Sequence, residues 1–119
     1  MVTRTDTPNF IASCELIWRK ADGSEVRLVA RVGVPYEIGD HAWACATELD
    51  GYGGRAVDIR GGSSMQALCL AIGFLRSRLA HLVAMDERLQ HVQGGGDWNL
   101  DQLDAVFGRG LAASTGAAS

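Results

Sequence analysis

The residues of this 119-residue sequence best suited to covalent, metal or acid–base chemistry are three cysteines, three histidines and fourteen carboxylates, and their spacing assembles none of these chemistries. A nucleophile needs an adjacent base and a third group to orient that base. Cys14 and Cys45 fall on the apolar faces of expected strands and Cys69 falls inside an expected helix, so all three read as small core residues. Ser63 and Ser64 stand outside any G-x-S-x-G frame. His41 and Cys45 are metal-type ligands at short spacing and would share a face of an alternating strand, but two ligands do not make a site. His81 and His91 have no ligand four residues on, and there is no H-E-x-x-H or C-x-x-C. The carboxylate pairs Asp86-Glu87 and Asp101/Asp104 lie where solvated charge is expected. Gly51, Gly53, Gly54, Gly61 and Gly62 match neither G-x-x-x-x-G-K-[ST] nor G-x-G-x-x-G and have no lysine beside them, which makes them turn glycines. No catalytic residue, cofactor or metal is expected.

Charge patterning says more. From Glu37 to Asp58 the acids Glu37, Asp40, Glu48, Asp50 and Asp58 face the single base Arg55, among the aromatics Tyr36, Trp43 and Tyr52. Aromatic anchors among charges that steer association describe a protein-binding surface, here Tyr36, Glu37, Asp40, Glu48, Asp50 and Tyr52. The competing reading is an acidic sheet edge that deters strand pairing. Arg19, Arg27 and Arg31 form a basic stripe, but interleaved acids make that face mixed and solvated. Eleven basic against fourteen acidic residues, a net charge of -3, give no bulk attraction for nucleic acid or an anionic membrane.

These residues need elements to position them. Between Phe10 and Lys20, Cys14, Leu16 and Trp18 alternate with Glu15, Ile17 and Arg19; after the turn pair Asp22-Gly23, Val26, Leu28, Ala30, Val32 and Val34 alternate again. The spacing predicts a β-hairpin over about 11–34. Pro35 should end or edge that strand, Gly39-Asp40 turns the chain, and Trp43, Cys45, Thr47 and Leu49 share one face of a third strand running from Ala42 to Leu49. A short fourth strand, Arg55 to Arg60, carries Val57 and Ile59 on one side. The period then changes: Met65, Leu68, Ile72, Leu75, Leu79 and Leu82 recur at helical spacing, with Ser63 as N-cap and Gln66 three residues on. Leu70 and Phe74 lie off this stripe with Ala67 and Ala71 and need a further cover, either the segment from Trp98 to Phe107 or a second molecule. A short helix is expected around Leu100, Leu103, Val106 and Phe107. Order should weaken after Glu87, with Gly94-Gly95-Gly96 as a flexible joint.

The expected architecture is therefore α+β: a four-stranded antiparallel meander packed on one long amphipathic helix, with a short C-terminal helix. Residues 1–9 are expected to be disordered, 10–107 to form the single domain and 108–119 to be a flexible tail. No secretory signal is evident in residues 1–9, no window approaches the roughly 20 apolar residues of a membrane span, and three widely spaced cysteines imply no disulfide framework. A cytoplasmic location follows as the expectation.

Trp43-Ala44-Cys45, Asp50-Gly51 and Gly62-Ser63-Ser64-Met65-Gln66-Ala67-Leu68 occur in an order that resembles an uncharacterised family of small bacterial α+β proteins. Its pattern is a W-x-C strand, a glycine turn, and G-x-x-x-x-Q-A-L at the start of one amphipathic helix. The resemblance covers about residues 11–85. Ala42 and Ala46 stand where that pattern has an acidic residue and a proline. Such domains look like immunity proteins, so the resemblance implies a non-catalytic domain that binds and neutralises a cognate toxin. The alternatives are a small-molecule-binding or enzymatic domain with a pocket between helix and sheet, near Trp18, Trp43 and Cys45, or a structural homo-oligomer, for example a homodimer, using Leu70 and Phe74.

Overall fold

Alternation places the sheet. In a computed structural model that describes residues 2–3, 9–54, 56–92 and 96–108, strands β2 (Phe10–Arg19) and β3 (Glu25–Gly33) pair antiparallel, with Leu16 opposite Leu28 and Cys14 opposite Ala30. Their turn is closed by Asp22, whose carboxylate accepts from the Ser24 amide at 2.9 Å and its hydroxyl at 2.6 Å. Those two bonds hold the Asp22 carboxyl below the usual carboxylate range. The expected face of Leu16, Leu28 and Ala30 is buried.

β5 (Ala42–Asp50) pairs with β3, and β6 (Val57–Gly61) with β5, so the expected meander is present in the order β6-β5-β3-β2. The sheet is nonetheless wider than four strands. β1 (Val2–Thr3), in the stretch expected to be disordered, pairs with β6, and β7 (Arg88–His91) pairs with the free edge of β2. The path β1-β6-β5-β3-β2-β7 has six strands, and β4 (Tyr36–Gly39) pairs with β5 beside it.

β4 continues the line of β3 across a kink. Val32 faces Thr47 and Tyr36 faces Ala44, so one strand advances four residues while the other advances three. The extra residue falls at Gly33-Val34-Pro35, where the missing amide of proline costs no ladder bond. β3 therefore ends at Gly33, just before Pro35 as expected, and the chain re-enters the sheet at Tyr36 as β4.

β7 corrects the expectation that order weakens after Glu87. Only Leu89 of Arg-Leu-Gln-His is apolar, too little for a periodic signal, yet Leu89 is fully buried opposite Trp18. The chain then folds back: Gly96 O accepts from His91 N at 2.8 Å, and Leu89 O from Trp98 N at 2.6 Å. Arg88 and Gln90 fasten this return by donating to Asp97, which keeps that carboxyl below its ordinary range. Gly94 and Gly95 of the expected joint, and the tail from 109, lie outside the described residues.

The long helix α1 (Ser64–Ala84) starts where expected: Ser63 Oγ accepts from Gln66 N at 3.1 Å, while the Gln66 side chain reaches back to the Gly62 amide. Its buried stripe is Ala67, Ala71, Leu75, Leu79 and Leu82: the expected Leu75, Leu79 and Leu82 are buried, but over the first turns Ala67 and Ala71 replace the expected Met65, Leu68 and Ile72, and Met65 is 68% exposed. The cause is a close approach at the helix start. A Cβ on Gly61 would stand 2.5 Å from the Ala67 amide nitrogen, so the first turns lie directly on β6 and only alanine fits beneath them. Toward the C-terminus the gap widens and takes Leu79 and Leu82, packed with Leu16, Leu28 and Leu89.

α1 also corrects a composition argument. By length and its mean hydropathy of 1.5, it is long and apolar enough to cross a membrane. Here that apolarity is shared between the sheet and α2 (Leu100–Phe107), which begins with a capping box between Asn99 and Gln102 and is tied to α1 by the Arg76–Asp104 ion pair at 2.5 Å. α2 covers α1 on the Ile72 side, through Phe107, and not over Leu70 and Phe74 where the cover is expected. Leu70 and Phe74 remain half-buried.

The burial pattern of α1, which keeps the expected Leu79 and releases the expected Met65, is testable by urea denaturation. Leu79→Ala should cost about 2–5 kcal/mol, and Met65→Ala, on the stripe the spacing predicts, should stay within about 0.5 kcal/mol of the parent.

Candidate functional site

The β4–β5 hairpin tip is built by the register just described. Gly39 pairs with Ala42, leaving Asp40 and His41 as the turn, with His41 in the left-handed region at φ 51. Glu37, Ile38, Gly39, Asp40 and His41 are all exposed. The His41 carbonyl oxygen lies 3.9 Å from where a Cβ on Gly62 would stand, so the tip sits beside the start of α1. His41 is thus a turn residue, and the expected face shared with Cys45 does not exist.

The six residues expected to make one acidic, aromatic surface occupy three places. Glu37 and Asp40 are on the tip, and neither has a basic partner among the described residues. Glu48 and Asp50 lie on the sheet face away from α1, where Arg31 Nη1 approaches them at 2.6 and 3.7 Å. Arg19–Glu25 at 2.7 Å and Arg27–Glu15 continue this paired charge across β2 and β3. Tyr52 is turned inward, its ring stacked 5.8 Å from that of Trp18 against the leucine cluster. Tyr36 is half-buried on the outer face and donates its hydroxyl to Asp58, which is fully buried.

Of the three cysteines expected in the core, Cys69 is exposed on α1, whereas Cys14 and Cys45 are engaged in structure. Cys45 donates to the Gly33 carbonyl at 3.2 Å, and burial pushes its thiol up. Burial, with Glu15 beside it, does the same to Cys14. A raised thiol is a poor nucleophile at neutral pH. Among the described residues, no three His, Cys, Asp or Glu side chains come together as metal ligands. Sequence reasoning missed Arg31 as the base that engages Glu48 and Asp50, and Asp58 as the acceptor for Tyr36. Both depend on cross-strand register, the Arg31–Glu48 pairing on that of β3 with β5 and the placement of Tyr36 on the one-residue shift at the kink. The tip carries negative charge uncompensated among the described residues beside an apolar side chain, Ile38, on a two-strand support.

A family model described as a domain of unknown function, DUF6968, matches residues 15–101. The chain belongs to this family. The matched span of the DUF6968 domain runs from within β2 to the first turn of α2 and contains the whole β4–β5 hairpin and α1. Neither the curated proteins nor the solved structures provide a match.

Within the DUF6968 domain, the two tyrosines should separate on removal of their hydroxyls. Tyr36→Phe takes a donor from a buried carboxylate and should cost about 1–3 kcal/mol in urea denaturation. Tyr52→Phe keeps the stacked ring and should change stability by less than about 0.5 kcal/mol.

Proposed function

We propose that this domain is a non-catalytic binding protein of the immunity type, acting in the cytoplasm to neutralise a cognate toxin by occluding it with the β4–β5 hairpin tip. The observation that carries this reading is the uneven pairing of the acids. Arg31 neutralises Glu48 and Asp50, whereas Glu37 and Asp40 stand unpaired among the described residues at a tip that also presents Ile38, 40% exposed. Negative charge of this kind raises the association rate with a basic partner, and the apolar side chain supplies contact area once docked. The half-buried Trp43, immediately behind the tip on β5, stiffens its base by packing on the second core cluster. The engagement of Tyr36 and Tyr52 within the fold narrows the proposed surface to Glu37, Ile38 and Asp40.

The test begins with recovery of the tagged protein from its native cell and identification of a stoichiometric protein partner. For that pair, Glu37→Lys with Asp40→Lys should slow association about tenfold or more at low salt, with the difference shrinking as salt rises. Glu48→Lys should change the rate little, because Arg31 already screens that position. Equal association rates for the tip variant and the parent would remove the tip as the binding surface.

A further inference from the structure

At the opposite end of β5 from the hairpin tip, a cleft of about 150 Å³ opens between the β5–β6 connection and α1. Its apolar lining comes from Leu49, Val57 and Phe74, and its rim from Tyr52 and the Gly53-Gly54 backbone. Arg78 closes one side, its guanidinium carbon 4.9 Å from the centroid of the Phe74 ring. Arg19, Arg27, Arg31, Arg76 and Arg88 each hold a carboxylate, but Arg78 holds none among the described residues. Glu48, the acid among the lining residues, is engaged by Arg31 at 2.6 Å and leaves Arg78 uncompensated.

The glycine rim adds donors. Gly53 and Gly54 have φ values of +98 and +111 with open space where a Cβ would stand, and their amides make no hydrogen bond among the described residues. Bare of side chains, these backbone amides can be approached closely by an anion. One mouth thus combines a guanidinium with two amides lacking acceptors, above an apolar floor. The volume is that of about one benzene-sized body.

We propose that this cleft binds a small organic carboxylate, its compact apolar body on Phe74, Leu49 and Val57 and its carboxylate meeting Arg78 and the Gly53-Gly54 amides. This site is separate from the hairpin tip and stands or falls independently of the toxin-binding reading.

The probes are benzoate and isovalerate, titrated into the full chain and followed by amide chemical shifts. At least one should give saturable shifts at Gly53, Gly54 and Phe74, with Kd on the order of 1 mM. Benzamide, which lacks the charge, and inorganic phosphate, which lacks the apolar body, should each bind at least about tenfold more weakly than the better acid. Arg78→Gln should weaken that acid about tenfold or more. Arg60→Gln, at an exposed arginine of β6 that also lacks a carboxylate partner among the described residues, should leave binding unchanged. The proposal is overturned if both acids give only linear shifts to about 50 mM, if saturable shifts map elsewhere, if benzamide matches the acids, or if Arg78→Gln binds as the parent does.

Discussion

β5 is hydrogen-bonded along both edges and buried on both faces, and the other elements arrange themselves around that demand. β3 and β4 together fill one edge and β6 the other. Ala44, Cys45, Ala46 and Thr47 are each no more than 2% exposed, although successive residues point to opposite sides of the sheet. A strand covered on both faces must carry side chains matched to what approaches it. Toward α1 it offers Cys45 and Thr47, beneath helix turns that bring only Ala67 and Ala71; away from α1 it offers two alanines, beside Gly33, Tyr36 and Asp58. A Cβ on Gly33 would stand 3.1 Å from the Ala46 Cβ, which shows how little room the outer side leaves.

The tip and the cleft are the two ends of this strand. At its start, β4 adds a partner strand that carries the chain past the helix N-terminus and leaves the turn at Asp40 and His41 in solvent. At its end, Asp50 and Gly51 lead into the glycine connection, and the large residues of the α1 middle, Phe74 and Arg78, stand off from the sheet far enough to leave a cleft. The same wedge of α1, tight over β6 and wider toward Leu79, therefore accounts for both features.

Much of this was legible in the alternation of side chains. Cys14, Leu16 and Trp18, then Val26, Leu28 and Ala30, then Trp43, Cys45 and Leu49 turn toward the helix as their period requires, because a half-buried strand records its environment at every second residue. β7 was not legible, since four residues with one leucine carry no period and the strand forms by adding to an existing edge. The helix stripe was legible at Leu75, Leu79 and Leu82 but misplaced over the first turns, because large apolar residues set the visible period while proximity to Gly61 selects the small ones for burial. Of the expected acidic surface, Glu37 and Asp40 follow from the turn signal at Gly39-Asp40. The positions of Glu48, Asp50, Tyr36 and Tyr52 depend on cross-strand neighbours, which no local pattern specifies.

Hydrogen–deuterium exchange of the domain, free and bound to the partner recovered from its native cell, tests most directly whether the exposed start of β5 is the binding end. Slowed exchange over residues 36–42, with the outer face of β2 and β3 unchanged, is the predicted footprint. Slowed exchange confined to that outer face, with the tip as open as in the free protein, would contradict the account.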